Sequence, residues 1–192
     1  MRKWIFASVA LLIGVPAAAQ QVEETSGPAA ELALSNDTLS ARYLSEVDGS
    51  KGTRFVGGVF LGEERDLVLD AGMMLGVDLG RRFDFSVGPK LYAALLRDEN
   101  EDVMAMSLGA EIRFYFDPQR RFALSGQAFY APDILSFGSA DNLVDLSARA
   151  EMQVAEDFMA FVGMRWFEFD LTNNGGERTL QEELFVGLRY DL

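Results

Sequence analysis

The sequence predicts an all-β protein, a transmembrane antiparallel up-and-down β-barrel of eight to ten strands, with ten favoured. Three observations carry this. From Ala30 onward apolar residues recur at every second position through most of the chain, up to Leu192, the period of a strand with one apolar and one wet face. The alternating runs reach about 10–15 residues, longer than the five or six usual in globular strands and enough for the roughly 9–11 of a membrane strand. An export signal precedes them.

That signal is Met1-Arg2-Lys3, the apolar run Trp4 to Val15, Pro16, and the small residues Ala17-Ala18-Ala19. The run falls short of the roughly 20 apolar residues of a spanning helix. Residues 1–19 therefore read as a cleaved signal peptide, 20–29 as a loose polar leader, and 30–192 as one barrel domain. No later stretch is apolar enough for a membrane helix, so any crossing is made by strands.

Taken in order, the first strands lie in residues 30–47. Leu32 and Leu34 have even parity, whereas Leu39, Ala41 and Tyr43 are odd. A two-residue turn at Asn36-Asp37 reconciles them by setting Leu34 opposite Leu39 and Leu32 opposite Ala41, which makes ten strands. The alternative is a bulge, with this segment capping an eight-strand barrel. A short row follows from Thr53 to Leu61. The next apolar row runs Leu67, Leu69, Ala71, Met73, Leu75, Val77, Leu79, opposite Asp70, Gly72, Gly76 and Asp78. Then come Phe83 to Leu95, opposite Asp84, Ser86, Gly88, Lys90 and Tyr92, with Pro89 suggesting a local bulge because it has no N–H to donate. Met104 to Phe116 opposes Ser107, Gly109, Glu111, Arg113 and Tyr115. After Phe122 to Tyr130, the row Leu146 to Val154 opposes Asp145, Ser147, Arg149, Glu151 and Gln153. Phe158 to Trp166 and Leu184 to Leu192 complete the set. None of the apolar rows contains Lys or Arg, each of which raises the energy by about 2–4 kcal/mol on a lipid face at mid-bilayer.

Turns alternate in length. Gly80-Arg81-Arg82, Asp117-Pro118-Gln119-Arg120 and Ala155-Glu156-Asp157 are tight. Across them Val77 faces Phe85, Val154 faces Phe158 and Met152 faces Ala160. Residues 63–66, 97–102, 131–142 and 170–178 form longer or more acidic loops. Short periplasmic turns and long external loops are the habit of outer-membrane barrels. Phe83, Phe85, Phe114, Phe116, Phe122, Phe158 and Tyr190 then fall near the periplasmic end, and Tyr130 and Trp166 near the outer end, as interfacial girdles.

Composition excludes several functions. There is no cysteine and no histidine, so no disulfide, thiolate nucleophile, Cys-type zinc site or histidine base is present. No enzyme activity, cofactor or metal site is expected. Acidic clusters at Glu63-Glu64-Asp66 and Asp98-Glu99-Glu101-Asp102 lack dedicated calcium-loop spacing and read as solvated charge. Without Arg2 and Lys3, 15 basic residues face 30 acidic ones, a formal charge of −15. Such a chain is a poor nucleic-acid binder.

The C-terminus places Gly187, Tyr190 and Leu192 in the pattern read by the barrel-insertion machinery, with leucine where a terminal phenylalanine is usual. That machinery and outer-membrane lipids are the partners this implies; no small-solute or protein ligand follows from the residues. The inward face carries Asp70, Asp78, Asp84, Lys90, Glu111, Arg113, Arg149, Glu151, Arg165 and Arg189. In so narrow a barrel these charges fill the interior as a paired network; the sharper reading is an ion path. In the loop after Tyr130, the segment Pro132, Asp133, Ile134, Leu135 and Phe137 is a lid over the mouth, a patch that meets lipid or a partner, or packing on the rim.

Ser35-Asn36-Asp37-Thr38-Leu39, the run Tyr130-Ala131-Pro132-Asp133-Ile134-Leu135-Ser136-Phe137-Gly138-Ser139-Ala140-Asp141, Ala160 to Trp166 and the ending Val186 to Tyr190 together resemble the YfaZ family of outer-membrane proteins. The resemblance implies a barrel in the outer membrane of a Gram-negative bacterium and brings no reaction or ligand. The sequence thus points to a barrel with a structural or interaction role and a side-chain-filled interior, or alternatively to a narrow, porin-like pore for small solutes.

Overall fold

A computed structural model describes residues 27–46, 52–62, 66–80, 82–96, 101–138, 140–171 and 176–192. The signal segment 1–19 and the acidic pairs Glu63-Glu64 and Asp98-Glu99 lie outside them. The strands are β1 (Ala29–Leu34), β2 (Leu39–Glu46), β3 (Thr53–Leu61), β4 (Leu67–Asp78), β5 (Phe83–Leu96), β6 (Glu101–Tyr115), β7 (Phe122–Ala131), β8 (Ser136–Gly138), β9 (Ala140–Ala155), β10 (Phe158–Leu171) and β11 (Gly176–Asp191).

Ten of these form a closed wall. Each pairs antiparallel with its neighbour along the chain, β7 pairs with β9, and β1 meets β11 from Ala29–Asp191 to Leu34–Val186. Closure removes the free edges of an open sheet, which a bilayer does not tolerate. β8 is an added piece. It pairs with β6 through Val103–Gly138 and Ala105–Ser136, above the point where β7 begins to pair with β6 at Leu108–Tyr130. It thereby continues the wall where β7 ends.

The hairpin of β1 and β2 has the expected register, Leu34 with Leu39 and Leu32 with Ala41. Val77 pairs with Phe85 and Met152 with Ala160, also as expected. Two local expectations need correction. Pro89 makes no bulge. Gly72–Lys90 and Leu75–Val87 keep one offset, and the β4–β5 ladder lapses only between them, where Gly88 and Pro89 lie opposite Met73 and Met74. A ladder that omits a pair absorbs the missing N–H without a shift. Phe158 pairs with Ala155 and not Val154. The tight turn closes one residue nearer, and a register shift between Phe158 and Met159 restores the facing. Gly80 adopts φ +96°, a conformation its turn requires and a side chain would oppose.

The outer surface is apolar. Leu32, Leu69, Leu108, Val162 and Leu188 are each at least half exposed. Rings gather at the short-turn end, with centroid separations of 4.9 Å for Phe83–Phe114, 5.0 Å for Phe114–Phe116 and 4.8 Å for Phe158–Tyr190. Tyr130 and Trp166 face outward toward the long-loop end. A soluble sheet buries such a face; this one turns it outward all round and keeps its charges inside. No helix among the described residues is long and apolar enough to cross a membrane.

Candidate functional site: the barrel interior

The interior is built in layers by the inward parity of each strand. Toward the long-loop end, Phe60 (β3), Tyr92 (β5), and Phe167 and Phe169 (β10) are at most 2% exposed and pack with Val68, Val103, Ala131 and Leu143. Phe167 is central, with centroids 5.9 Å from Phe60, 5.6 Å from Tyr92 and 5.4 Å from Phe169. Arg165, two residues along β10, lays its guanidinium 4.5 Å from the Phe167 ring centroid and 5.4 Å from that of Phe60. The aromatic layer therefore rests on a charged one.

That charged layer centres on Asp145, which is fully buried. It accepts bonds from Arg165 Nε (2.8 Å) and Nη2 (2.9 Å) and from the Tyr92 hydroxyl (2.8 Å). Lys90 Nζ lies 3.8 Å from Asp145 and 3.1 Å from Asp70, with the Tyr92 and Phe129 ring centroids each 4.9 Å away. A lysine this buried is tolerable because carboxylates and ring faces surround it.

Toward the short-turn end a second chain of charges begins. Arg149 holds Glu31 by both terminal nitrogens (2.9 and 3.0 Å) and Glu151 through Nε (2.8 Å). Its guanidinium also covers the Phe161 ring at 4.7 Å. Glu151 reaches Arg113 Nε at 3.0 Å and accepts the Ser125 hydroxyl. Glu111 takes Arg42 at 3.2 Å and also Arg54. Two small cavities, about 50 and 40 Å³, lie along these layers, room for a few waters each.

Of the candidate charges, Asp70, Lys90, Glu111, Arg113, Arg149, Glu151 and Arg165 all lie in these two chains. Arg189 pairs instead with Asp191 at 2.6 Å. Asp84 accepts the Tyr115 hydroxyl at 2.7 Å and lies 3.7 Å from Arg120; the Asp78 side chain lies outside the described ones. Glu31, Arg42, Arg54 and Asp145 complete the chains without being among the candidates. Parity could have found them: Arg42 stands between outward Ala41 and Tyr43, and Asp145 belongs to an inward row. In the loop after Tyr130, Asp133–Leu135 make one 3₁₀ turn closed by Leu135 N–H to Pro132 O at 2.9 Å. Ile134 is 82% exposed, and Phe137 pairs through its backbone with Met104. Of the insertion pattern, Tyr190 and Leu192 face outward, and Gly187 lies opposite Phe161.

A closed ten-stranded antiparallel wall, apolar outside and charge-lined within, defines a transmembrane up-and-down β-barrel. The chain belongs to the YfaZ precursor family, whose model matches residues 1–192. Similar solved structures include the KdgM porin in complex with disordered oligogalacturonate, at 9% identity and TM-score 0.49 over 86% of this chain and 98% of that one. A bacterial polysaccharide outer membrane secretin matches at 10% identity and TM-score 0.49, over 81% of this chain and 57% of that one. The outer membrane channel DcaP of Acinetobacter baumannii matches at 8% identity and TM-score 0.42, over 84% and 54%. At these identities the likeness is one of fold. No curated protein matches the sequence.

Proposed function

We propose that this protein is a structural or interaction barrel of the outer membrane, exported by a cleaved signal peptide, whose lumen is occluded and not an open diffusion path. One observation carries the reading: the dry layer of Phe60, Tyr92, Phe167 and Phe169 across the long-loop half of the lumen. Directly beneath it, Lys90 and Asp145 are also closed to water. An ion crossing this region has to shed its hydration among ring faces and displace paired charges, which is strongly unfavourable. The segment Pro132–Phe137 then acts as rim packing, since β8 extends the wall and Ile134, 82% exposed, is not tucked into the interior. With no histidine in the chain, no hydrolytic role is assigned. Insertion through the C-terminal Gly187, Tyr190 and Leu192 and solvation by outer-membrane lipids complete the reading.

The alternative, a narrow pore for small solutes, is favoured by the polar short-turn half of the lumen and by the two small cavities, one of which reaches up to Phe60 and Arg165. Planar-bilayer recording separates the two. The wild-type barrel is expected to give no steady single-channel steps, whereas Phe167→Ala with Phe169→Ala is expected to produce at least flickering conductance. Steady, resolvable steps from the wild type would establish the pore and end the occluded reading.

A further inference from the structure

The outer wall is not equally tall all round. β4, β5 and β6 have 12, 14 and 15 residues, whereas β1, β2 and β3 have 6, 8 and 9, at or below the roughly 9–11 that a membrane strand needs. The outward apolar rows differ in the same way. At about 3.3 Å per residue and a tilt of about 40°, the rows Leu67–Val77, Phe83–Leu95 and Met104–Phe114 stand roughly 25–30 Å tall, enough for an apolar band of about 25 Å. By the same measure Leu39–Tyr43 on β2 stands roughly 10 Å and Phe55–Leu61 on β3 roughly 15 Å. Tilting the whole barrel moves each row up or down without changing its height.

Leu39, Leu61, Leu67 and Leu95 share one register row at the long-loop end, so the deficit falls mainly at the short-turn end. Thr53, the first residue of β3, pairs with Leu75, and Leu75 with Val87. Past that row β4 still carries outward Val77 and Leu79, and β5 carries Phe85 and Phe83 of the girdle. On the short side the outward positions turn polar instead. Beyond Tyr43 that face of β2 continues with Ser45, beside Phe55, and Thr53 follows Phe55 on β3. Tyr43 is half exposed and shares a register row with Gly57, Ala71 and Leu91, in the middle of the tall rows. A phenol favours the boundary between hydrocarbon and headgroups, and hydroxyls are unfavourable in hydrocarbon. Tyr43 therefore marks for β2 the boundary that Phe83 and Phe114 mark for the tall strands, at a higher level.

We propose that the outer face of β1–β3 is a lipid-interaction surface at which the bilayer is thinned from its periplasmic leaflet, with phospholipid headgroups drawn up to Tyr43, Ser45 and Thr53. An apolar span shorter than the hydrocarbon is accommodated by local thinning or by oligomerisation. The hydroxyl groups at the foot of the short rows match headgroups and not the apolar wall of a second copy. The inference rests on the membrane-spanning barrel and does not depend on whether the lumen conducts.

The chain has no cysteine, so Tyr43→Cys and Ala71→Cys each supply a single thiol for a nitroxide label, on the short and the tall side of one register row. The barrel is refolded into vesicles of dioleoyl phosphatidylcholine and phosphatidylglycerol. Collisions of the label with a water-soluble nickel chelate are compared with its collisions with oxygen, which concentrates in hydrocarbon. The nickel-to-oxygen ratio is expected to be at least threefold higher at 43 than at 71. Ser45→Leu with Thr53→Leu lengthens the short rows and is expected to bring the ratio at 43 down toward that at 71. Equally low ratios at the two sites overturn the thinning, as does a ratio at 43 that the double variant leaves unchanged. Spin–spin broadening at 43 that disappears on dilution with unlabelled barrel also overturns it, by placing a second copy on this face. A high ratio at 71 as well as 43 is a separate failure, that of the bilayer around the wall, and removes the basis of the proposal. Heat-modifiable mobility on gels confirms that each variant is folded.

Discussion

Single residues set the interior in two ways, by leaving room and by neutralising charge. Gly187 leaves room. A methyl there would overlap the Phe161 ring and the Leu32 carbonyl oxygen, and Phe161 carries the Arg149 guanidinium on its ring. The same device recurs where Phe185 lies over Gly163 and Phe129 over Gly109. Gly187→Ala is therefore expected to destabilise by about 1–3 kcal/mol through overpacking, read as a lowered urea midpoint in phospholipid vesicles. Lys90 neutralises. Lys90→Met leaves Asp70 and Asp145 with too little positive charge, and breaking such a buried pair is expected to lower stability by about 3–5 kcal/mol. Adding Asp70→Asn removes one of the stranded carboxylates, so the double variant should be more stable than the sum of the singles implies, by about 1–3 kcal/mol. Strict additivity in the same unfolding assay would mean that Lys90 acts through its ring contacts alone.

At the scale of strands and turns, parity explains both what was readable and what was not. The long rows of β4, β5, β6 and β9 announce their inward charges because each offers five or more alternations. β1 has only six residues, so Glu31 could be assigned a side only once the Asn36-Asp37 turn was accepted, and Arg42 followed from the same turn. The aromatic closure was hidden for a different reason: Phe167 and Phe169 lie beyond outward Trp166, in a stretch with no outward apolar row to set against them. Nor does periodicity register fastening by side chains. Among the described residues, none from Gly176 to Phe185 pairs with β1. The tip of the first hairpin is tied there instead, by the Ser35 hydroxyl donating to Glu183 and by Gln181 Nε2 donating to Thr38 Oγ1 at 3.1 Å. The turn after β6 shows fastening of the same kind. Asp117 accepts the Phe122 N–H at 2.9 Å and the Arg121 N–H at 3.2 Å. Slight burial pushes its carboxyl up, but those N–H groups and the Arg121 guanidinium outweigh this and hold it below its ordinary value of 3.8. A carboxyl lowered by folding stabilises the fold above its unfolded value and ceases to do so as the pH falls through the folded one. Asp117→Ala should thus lower the unfolding midpoint at neutral pH, and its difference from wild type should vanish in strong acid. A difference that persists unchanged there would mean the side chain acts by shape and not by charge.

For the whole molecule the decisive question is what surrounds the wall, and β10 allows a depth-resolved answer. Phe158 and Trp166 share its outward face and mark the two girdles, with Val162 midway and half exposed. Eight residues at about 3.3 Å each make roughly 26 Å of strand. Tilted by about 40°, that is roughly 20 Å of height, close to the apolar band of about 25 Å in outer-membrane barrels. Val162 then lies near the bilayer midplane, whereas Leu192, at the short-turn end of β11, lies near the interface. Arginine at the midplane is unfavourable by about 2–4 kcal/mol, falling to about 0–1 near the interfaces. Val162→Arg should accordingly destabilise the barrel in phospholipid vesicles several times more than Leu192→Arg. Neither substitution touches the internal charge chains, so the contrast reports the surroundings of the outer face alone. Equal and small effects of the two in vesicles would mean that water, not hydrocarbon, meets Val162, and the membrane-spanning orientation of the whole barrel would have to be abandoned.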